Sequence, residues 1–192
     1  MNNGLEAIRI RETVVMIGGN ASAPEIGDKI KVGKYTATCQ KVTDEGALFL
    51  MDQYLDKIYP MNLEPTNEGG YPASYLRKET NKDLAGDSNF DEIRPYLVPV
   101  FVNDLFRIPT VGEMFGKDCF YEMDGAGRWP LMKNRRNRMT NRENEEYEWG
   151  WLQNKVARSA TSFAFVDGYG GATYNAASHA NYGVRPVFMV RL

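Results

Sequence analysis

His179 is the single histidine of the chain, and Cys39 and Cys119 are its two cysteines. The residue types that most often carry catalysis or ligate transition metals are therefore scarce. A histidine-based metal centre needs several imidazoles and cannot be assembled from one. A serine triad would need His179 beside a nucleophile and an orienting acid, and no Gly-x-Ser-x-Gly elbow is present. Gly168-Tyr169-Gly170-Gly171 lacks the Lys-Ser/Thr that completes a phosphate-cradling loop. Asp167 has no acidic neighbours with which to cage calcium. Paired carboxylates for glycoside hydrolysis stay open, because any two acids could converge in a fold.

Chemistry of another kind stands between Gly168 and Gly183. The run Tyr169-Gly-Gly-Ala-Thr-Tyr174-Asn175-Ala-Ala-Ser178-His179-Ala-Asn181-Tyr182 holds no aliphatic residue larger than alanine and no acid, lysine or arginine. Such a run cannot supply core. Tyrosine gives rigid, amphipathic contact area, while Ser, Gly and Asn adapt their hydrogen bonds, which is the composition of binding loops. Two readings follow, a small-residue hairpin without a partner or a ligand-facing surface, and the surface is the expectation taken forward. Arg128, Lys133, Arg135, Arg136, Arg138 and Arg142 form a basic block, followed by Glu143, Glu145, Glu146 and Glu148. They read either as a solvated, internally ion-paired segment or as a phosphate- or sulfate-binding patch, since clustered arginines suit bidentate oxyanion contacts.

Several elements must position these groups. Ala7–Ile17 has a strand pattern, and Gly18, Gly19 and Pro24 punctuate it. Asp28–Cys39 alternates Ile30, Val32 and Tyr35 with charged residues and reads as a half-buried strand. Asp44-Glu45-Gly46 then turns into Ala47–Met51, an apolar run suited to a central strand. Residues 60–72 are loop. Ser74 caps a predicted helix that carries Leu76, Thr80 and Leu84 on one face. Pro95 and Pro99 restrict 90–102 to edge strands and a turn. Leu105–Ile108 reads as a strand ending at Pro109, followed by a short helix with a Thr110/Glu113 capping box. Ser162–Val166 and the run ending Val187-Phe188-Met189-Val190 read as core strands.

The 192 residues are enough for one core; 43% are hydrophobic and 25% charged, as in a folded domain and unlike a disordered one. A net charge of −2 gives no field favouring nucleic acid or an anionic membrane. No apolar stretch approaches the roughly 18 residues a spanning helix needs, so membrane insertion is not expected. The N-terminus reads without an export signal, which points to cytoplasmic synthesis before any role on a virion or cell surface. Cys39 and Cys119 either bridge or remain two buried thiols.

Five segments, in order, carry a resemblance. They are the strand opening Gly27–Tyr35, Ser74-x-Leu76-Arg77, Phe106-x-Ile108-Pro109 with Glu113, Trp149-x-Trp151-Leu152, and Gly183-Val184-Arg185-Pro186. Together they resemble a bacterial and phage domain family of unassigned function that ends in W-W-L-R … G-V-R-P. That family is related to the C-type-lectin-like domains of formylglycine-generating enzymes and to variable proteins of diversity-generating retroelements. Gly150 stands where the family has its second tryptophan, and Gln153 where it has arginine. The resemblance implies an α+β, C-type-lectin-like fold with paired terminal strands, short helices and a loop-rich ligand-facing half, over residues 26–192 behind an extension at 1–25. In phage tropism proteins of this fold, the stretch before the final strand carries receptor contacts. Carried over, that makes Asn154, Lys155, Arg158, Tyr169, Tyr174, Asn175, Ser178, His179, Asn181 and Tyr182 the candidate contacts. Trp149, Trp151, Gly183, Arg185 and Pro186 become structural motif positions.

The implied function is non-catalytic recognition, without calcium or cofactor. The chain would be a phage or prophage virion (tail) or bacterial surface protein that meets a host surface protein or glycan, with or without retroelement diversification. Other virion proteins and further copies of the chain, a trimer included, are compatible partners. The alternatives are a structural virion protein that uses the same face for assembly, and a hydrolase with convergent carboxylates. Formylglycine chemistry needs a reactive cysteine pair near the C-terminal part of the domain, where Cys119 stands alone, and sulfoxide synthesis needs several histidines where this chain has one.

Overall fold

The computed structural model describes residues 24–116, 120–142, 146–179 and 182–191. The predicted strand at 7–17 and Cys119 lie outside them. The fold is α+β, with two antiparallel sheets and a few short helices. The larger sheet has the order β1-β2-β3-β8-β4 and is built from Lys29–Val32, Tyr35–Thr43, Gly46–Met51, Val187–Val190 and Leu97–Val98 respectively. The smaller sheet is β5 (Gly150–Lys155), β6 (Ser162–Val166) and β7 (Ala172–Ala176) in sequence order. The helices are α1 (Gly70–Ala73), α2 (Tyr75–Ala85) and α3 (Val111–Phe115). No described helix is long and apolar enough to cross a membrane.

β3 is buried along its whole length because both of its faces are covered. On one face Phe49 stacks on its register partner Phe188, and Phe90 and Phe106 pack edge-on against the pair. Leu76 and Leu84 of α2 and Trp151 and Phe163 of the small sheet close this cluster. On the other face Leu48, Leu50 and Val187 meet Val111 and Met114 of α3, together with Trp129 and Met132. Ser74 Oγ accepts from Arg77 N–H to start α2, whose buried residues are Leu76, Thr80 and Leu84. Thr110 and Glu113 form the capping box on α3.

Three expectations are corrected, and one strand was not anticipated. Asp28–Cys39 is not one strand: Gly33, at φ +58°, and Lys34 turn it into the β1–β2 hairpin, with Val32 opposite Tyr35. Residues 105–108 form no strand; one bridge joins Arg107 to Val187. The terminal strand β8 is flanked by β3 and β4, so it does not pair with β1, the first described strand. Finally, Ala172–Ala176 within the small-residue run is a strand, β7, in register with all of β6. The unsatisfied edge of β6 supplies the hydrogen-bond partners that the side chains of this run do not advertise.

Cys39 is a free, buried thiol whose pKa burial pushes up to about 11, although a backbone hydrogen bond with Lys41 pulls the other way.

Candidate functional site

The two glycine-bearing motifs meet each other. Gly150 and Gly183 form a parallel bridge, and Trp151 N–H donates to the Gly183 carbonyl at 3.1 Å while Gly183 N–H donates to Trp149 at 2.7 Å. The buried ring of Tyr54 lies directly against both glycines, in the space their missing Cβ atoms would occupy. A large residue at 150 would meet that ring, which is the physical reason for glycine beside Trp151.

This junction supports an aromatic cluster. Trp151 is buried and its Nε1–H donates to the Tyr59 carbonyl at 2.8 Å. Tyr182 lies against Trp151, Phe165 and Trp149, with ring centroids 4.6, 4.4 and 5.4 Å away, and His179 stacks on it at 4.7 Å. Asn175 Nδ2 donates to the Tyr182 hydroxyl at 2.7 Å. Burial raises the Tyr182 pKa above the usual phenol value. Each such ring pair contributes about 0.5–1.5 kcal/mol beyond simple burial, so the cluster is stiff.

Tyr182 is therefore corrected from a contact residue to a core residue: it is 0% exposed. Asn154 is corrected likewise. It is buried, its Oδ1 accepts from Val111 N–H at 2.7 Å, and its Nδ2 donates to Glu122 and Asp124, both at 2.8 Å. The irregular register of β5 between Trp151 and Lys155 places it there. Trp149, expected in a structural role, leans its ring on Phe165 and Tyr182 and is at the same time 47% exposed.

At the β6–β7 turn, Tyr169 is 76% exposed. Asp167 Oδ1 accepts from the N–H groups of Tyr169 and Gly171 at 2.9 and 2.8 Å, which closes the turn. Two arginines of the basic block bind its backbone from below, Arg135 Nε on the Tyr169 carbonyl and Arg138 Nε on the Gly170 carbonyl. Gly170 sits at φ +74°, and a side chain there would strike Arg135 and Met139. Gly168 runs against the Tyr147 backbone and the Trp149 indole nitrogen, and Tyr147 is 57% exposed. The Tyr147 backbone, the Trp149 indole and Tyr169 thus border one glycine at one end of the small sheet, where Arg135 and Arg138 hold the turn.

The remaining candidates do not join this face. Tyr174 is exposed, but by alternation it stands on the Ala164 side of the sheet, opposite Phe165 and Asn175. Arg158, exposed, and Ser178, half-buried, lie at the other end, where Ala177 N–H donates to Thr161. Lys155 pairs with Glu122 at 3.1 Å and lines a groove of about 430 Å³ with Tyr71, Phe101, Met123 and Gln153. His179 Nδ1 is buried without a hydrogen-bond partner among the described residues. Asn181 lies outside the described residues. Arg185 is buried and donates to the Met51 and Asn137 carbonyls at 2.7 and 3.0 Å; burial lowers its pKa. Pro186 precedes β8, and its carbonyl accepts from Met51 N–H.

Comparison with protein-family models, curated proteins and solved structures returned no match. What this face does is argued from its geometry.

Tyr147 went unnoticed in the sequence because it sits in the acidic block, where a lone aromatic reads as incidental. Its spacing of two from Trp149, just ahead of a strand, is the only available signal.

Proposed function

We propose that this chain is a non-catalytic recognition protein of C-type-lectin-like architecture whose contact face is Tyr147, Trp149 and Tyr169. One observation carries the reading: three exposed aromatic residues lie next to Gly168, through the Tyr147 backbone, the Trp149 indole and the adjoining Tyr169, and Trp149 rests on a buried aromatic cluster. Preorganised aromatic anchors lose little entropy on binding, which is why Trp and Tyr dominate the energetics of protein interfaces. Exposed aromatic faces also offer flat apolar area on which a sugar ring can stack. The motif order from Gly27 to Pro186 supports assigning the partner to a host-cell surface, as a protein or a glycan, and the chain to a phage, prophage or bacterial surface. The set of contacts is smaller than the ten residues the resemblance implies, since two are buried and others face elsewhere.

The test is binding of the full chain to a panel of bacterial envelopes by biolayer interferometry. Tyr169→Ala, at an exposed turn, and Trp149→Ala should each weaken binding by about thirtyfold, the equivalent of a roughly 2 kcal/mol anchor. Protease treatment of the envelopes abolishes the signal for a protein partner, and periodate treatment for a glycan. Wild-type binding by both variants, with unchanged urea midpoints, would reject this face.

A further inference from the structure

A second cavity, of about 210 Å³, lies between the β1–β2–β3 part of the large sheet and the 3-10 turns Pro130–Lys133 and Arg135–Arg138. Its polar lining is Lys29, Thr38, Gln40, Asp52, Arg136 and Arg185, with Asn137 beside them. Arg185 is buried, yet its guanidinium contacts only backbone carbonyls among the described residues. The Asp52 carboxylate is close enough to act on it electrostatically but makes no hydrogen bond to it, and a buried cation with so little compensation is costly, a cost that an anion would relieve. Asp52, the one acid among the described lining residues, is already engaged by Lys29 Nζ and Thr38 Oγ1, both at 2.5 Å. At the rim, the exposed Arg136 side chain has no acid partner among the described residues. Three cations thus face one occupied carboxylate.

Gln40 supplies an independent sign. It is 2% exposed; its Nε2 donates to the Thr38 carbonyl at 3.1 Å, which fixes the amide orientation. Its Oε1 is then left buried with no hydrogen-bond partner. A buried, unmatched acceptor costs about 1–3 kcal/mol, so it calls for a donor. Gln40 is also the extra residue of the β2 irregularity between Cys39 and Lys41, and such bulges commonly re-aim a side chain next to a functional site.

We infer that this cavity binds a small oxyanion that carries its own hydroxyl. The anionic oxygens face the Arg185 and Arg136 guanidinium groups, and the hydroxyl donates to Gln40 Oε1 once a small shift of that side chain uncovers the oxygen toward the cavity it lines. The volume equals about seven waters at roughly 30 Å³ each, which admits a short hydroxycarboxylate or a phosphate but no oligosaccharide. The site is separate from the aromatic face, although the Arg135–Arg138 turn borders both.

Two ligand pairs test it by isothermal titration calorimetry on the full chain at pH 7 and low salt. Lactate against propionate, and phosphate against sulfate, each compare an oxyanion having a hydroxyl proton with one lacking it. The member with the hydroxyl should bind about tenfold more tightly in at least one pair, as one hydrogen bond to a charged ligand supplies. Preference in the first pair identifies a hydroxycarboxylate, and in the second a phosphate. Gln40→Met should erase the preference, and Arg136→Ala, at an exposed rim position, should weaken both members of the pair about tenfold. Absence of saturable binding, equal affinities within both pairs, or variants that bind as wild type would each overturn the inference.

Discussion

Gly183→Ala should destabilise the protein although it adds only a methyl group and demands no unusual backbone. Gly183 is not among the positive-φ glycines, so alanine can adopt its conformation. On unfolded-chain entropy alone the substitution would stabilise by about 0.4–1 kcal/mol. Against that, the new Cβ would sit 2.6 and 2.7 Å from Cδ2 and Cδ1 of Tyr54. Relaxed carbon contacts lie at about 3.5–4.0 Å, so the overlap is about 1 Å. The ring cannot back away, because Gly150 covers it too, with Tyr54 Cζ 2.5 Å from where a Cβ would stand there. Overpacking of this kind costs about 1–3 kcal/mol, occasionally more, and the upper end applies to a ring gripped from two sides. The net expectation is a loss of about 2 kcal/mol, or roughly 4–8 °C in Tm for a domain of this size. Gly86→Ala is the matched control: nothing lies within 4 Å of its Cβ position, and its φ is −106°. That variant should be neutral or more stable. Urea unfolding followed by tryptophan fluorescence reads both. In a Tyr54→Ala background, where the ring is gone, Gly183→Ala should cost nothing or even stabilise by filling space. Equal effects at positions 86 and 183, or full additivity with Tyr54→Ala, would refute the claim that the two motifs are locked together by this ring.

Two further outcomes are expected. Arg107 and Glu113 form a buried, bidentate pair at 2.7 and 2.5 Å, so Glu113→Leu should cost about 3–5 kcal/mol by leaving Arg107 uncompensated, whereas Glu113→Leu with Arg107→Met should recover most of that loss in a double-mutant cycle. For Asp124, burial pushes the carboxyl up, but hydrogen bonds from Asn154, Gly112, Ala126 and Thr110 outweigh it and hold its pKa below the usual value. A depressed folded pKa contributes stability above the ordinary carboxylate value near 3.9, and that contribution disappears as pH falls through the folded value. The gap in urea midpoint between wild type and Asp124→Asn should accordingly be widest at neutral pH and shrink below about pH 4; a gap independent of pH would show that the carboxylate charge has no part in it.

Local chemistry was the legible part of this fold. Ser74 and the Thr110/Glu113 box announce helix starts because the partners of a cap lie within three residues of it. Asp44-Glu45 announces the β2–β3 hairpin, and Ala47–Met51 announces a strand covered on both faces, for the same reason. What stayed hidden depends on groups that sequence does not spell. β7 pairs through its backbone, so Ala-Thr-Tyr-Asn-Ala carries no pattern that distinguishes it from loop. Arg135 and Arg138 were visible as a charge block, but the carbonyls they hold belong to Tyr169 and Gly170, some thirty residues on.

The sharpest divergence lies within the tyrosines of 168–183, which share one composition and occupy opposite environments. Tyr182 is in the core because Trp149, Trp151 and Phe165 arrive from other strands to surround it, and Asn175 satisfies its hydroxyl. Tyr169 is outside, 76% exposed, because the chain turns there. Composition could indicate that the stretch contains rigid, adaptable contact chemistry, but only the path of the strands decides which ring supports and which ring is presented. The two roles are linked in one direction: Tyr182 and its neighbours stiffen the platform on which Trp149 stands, and Asp167 and the two arginines stiffen the turn that carries Tyr169. Rigidity beneath exposed aromatics is what turns apolar surface into affinity, since a partner then orders few side chains that were not already ordered. A tyrosine of this run that is buried therefore belongs to the proposed recognition site as its foundation.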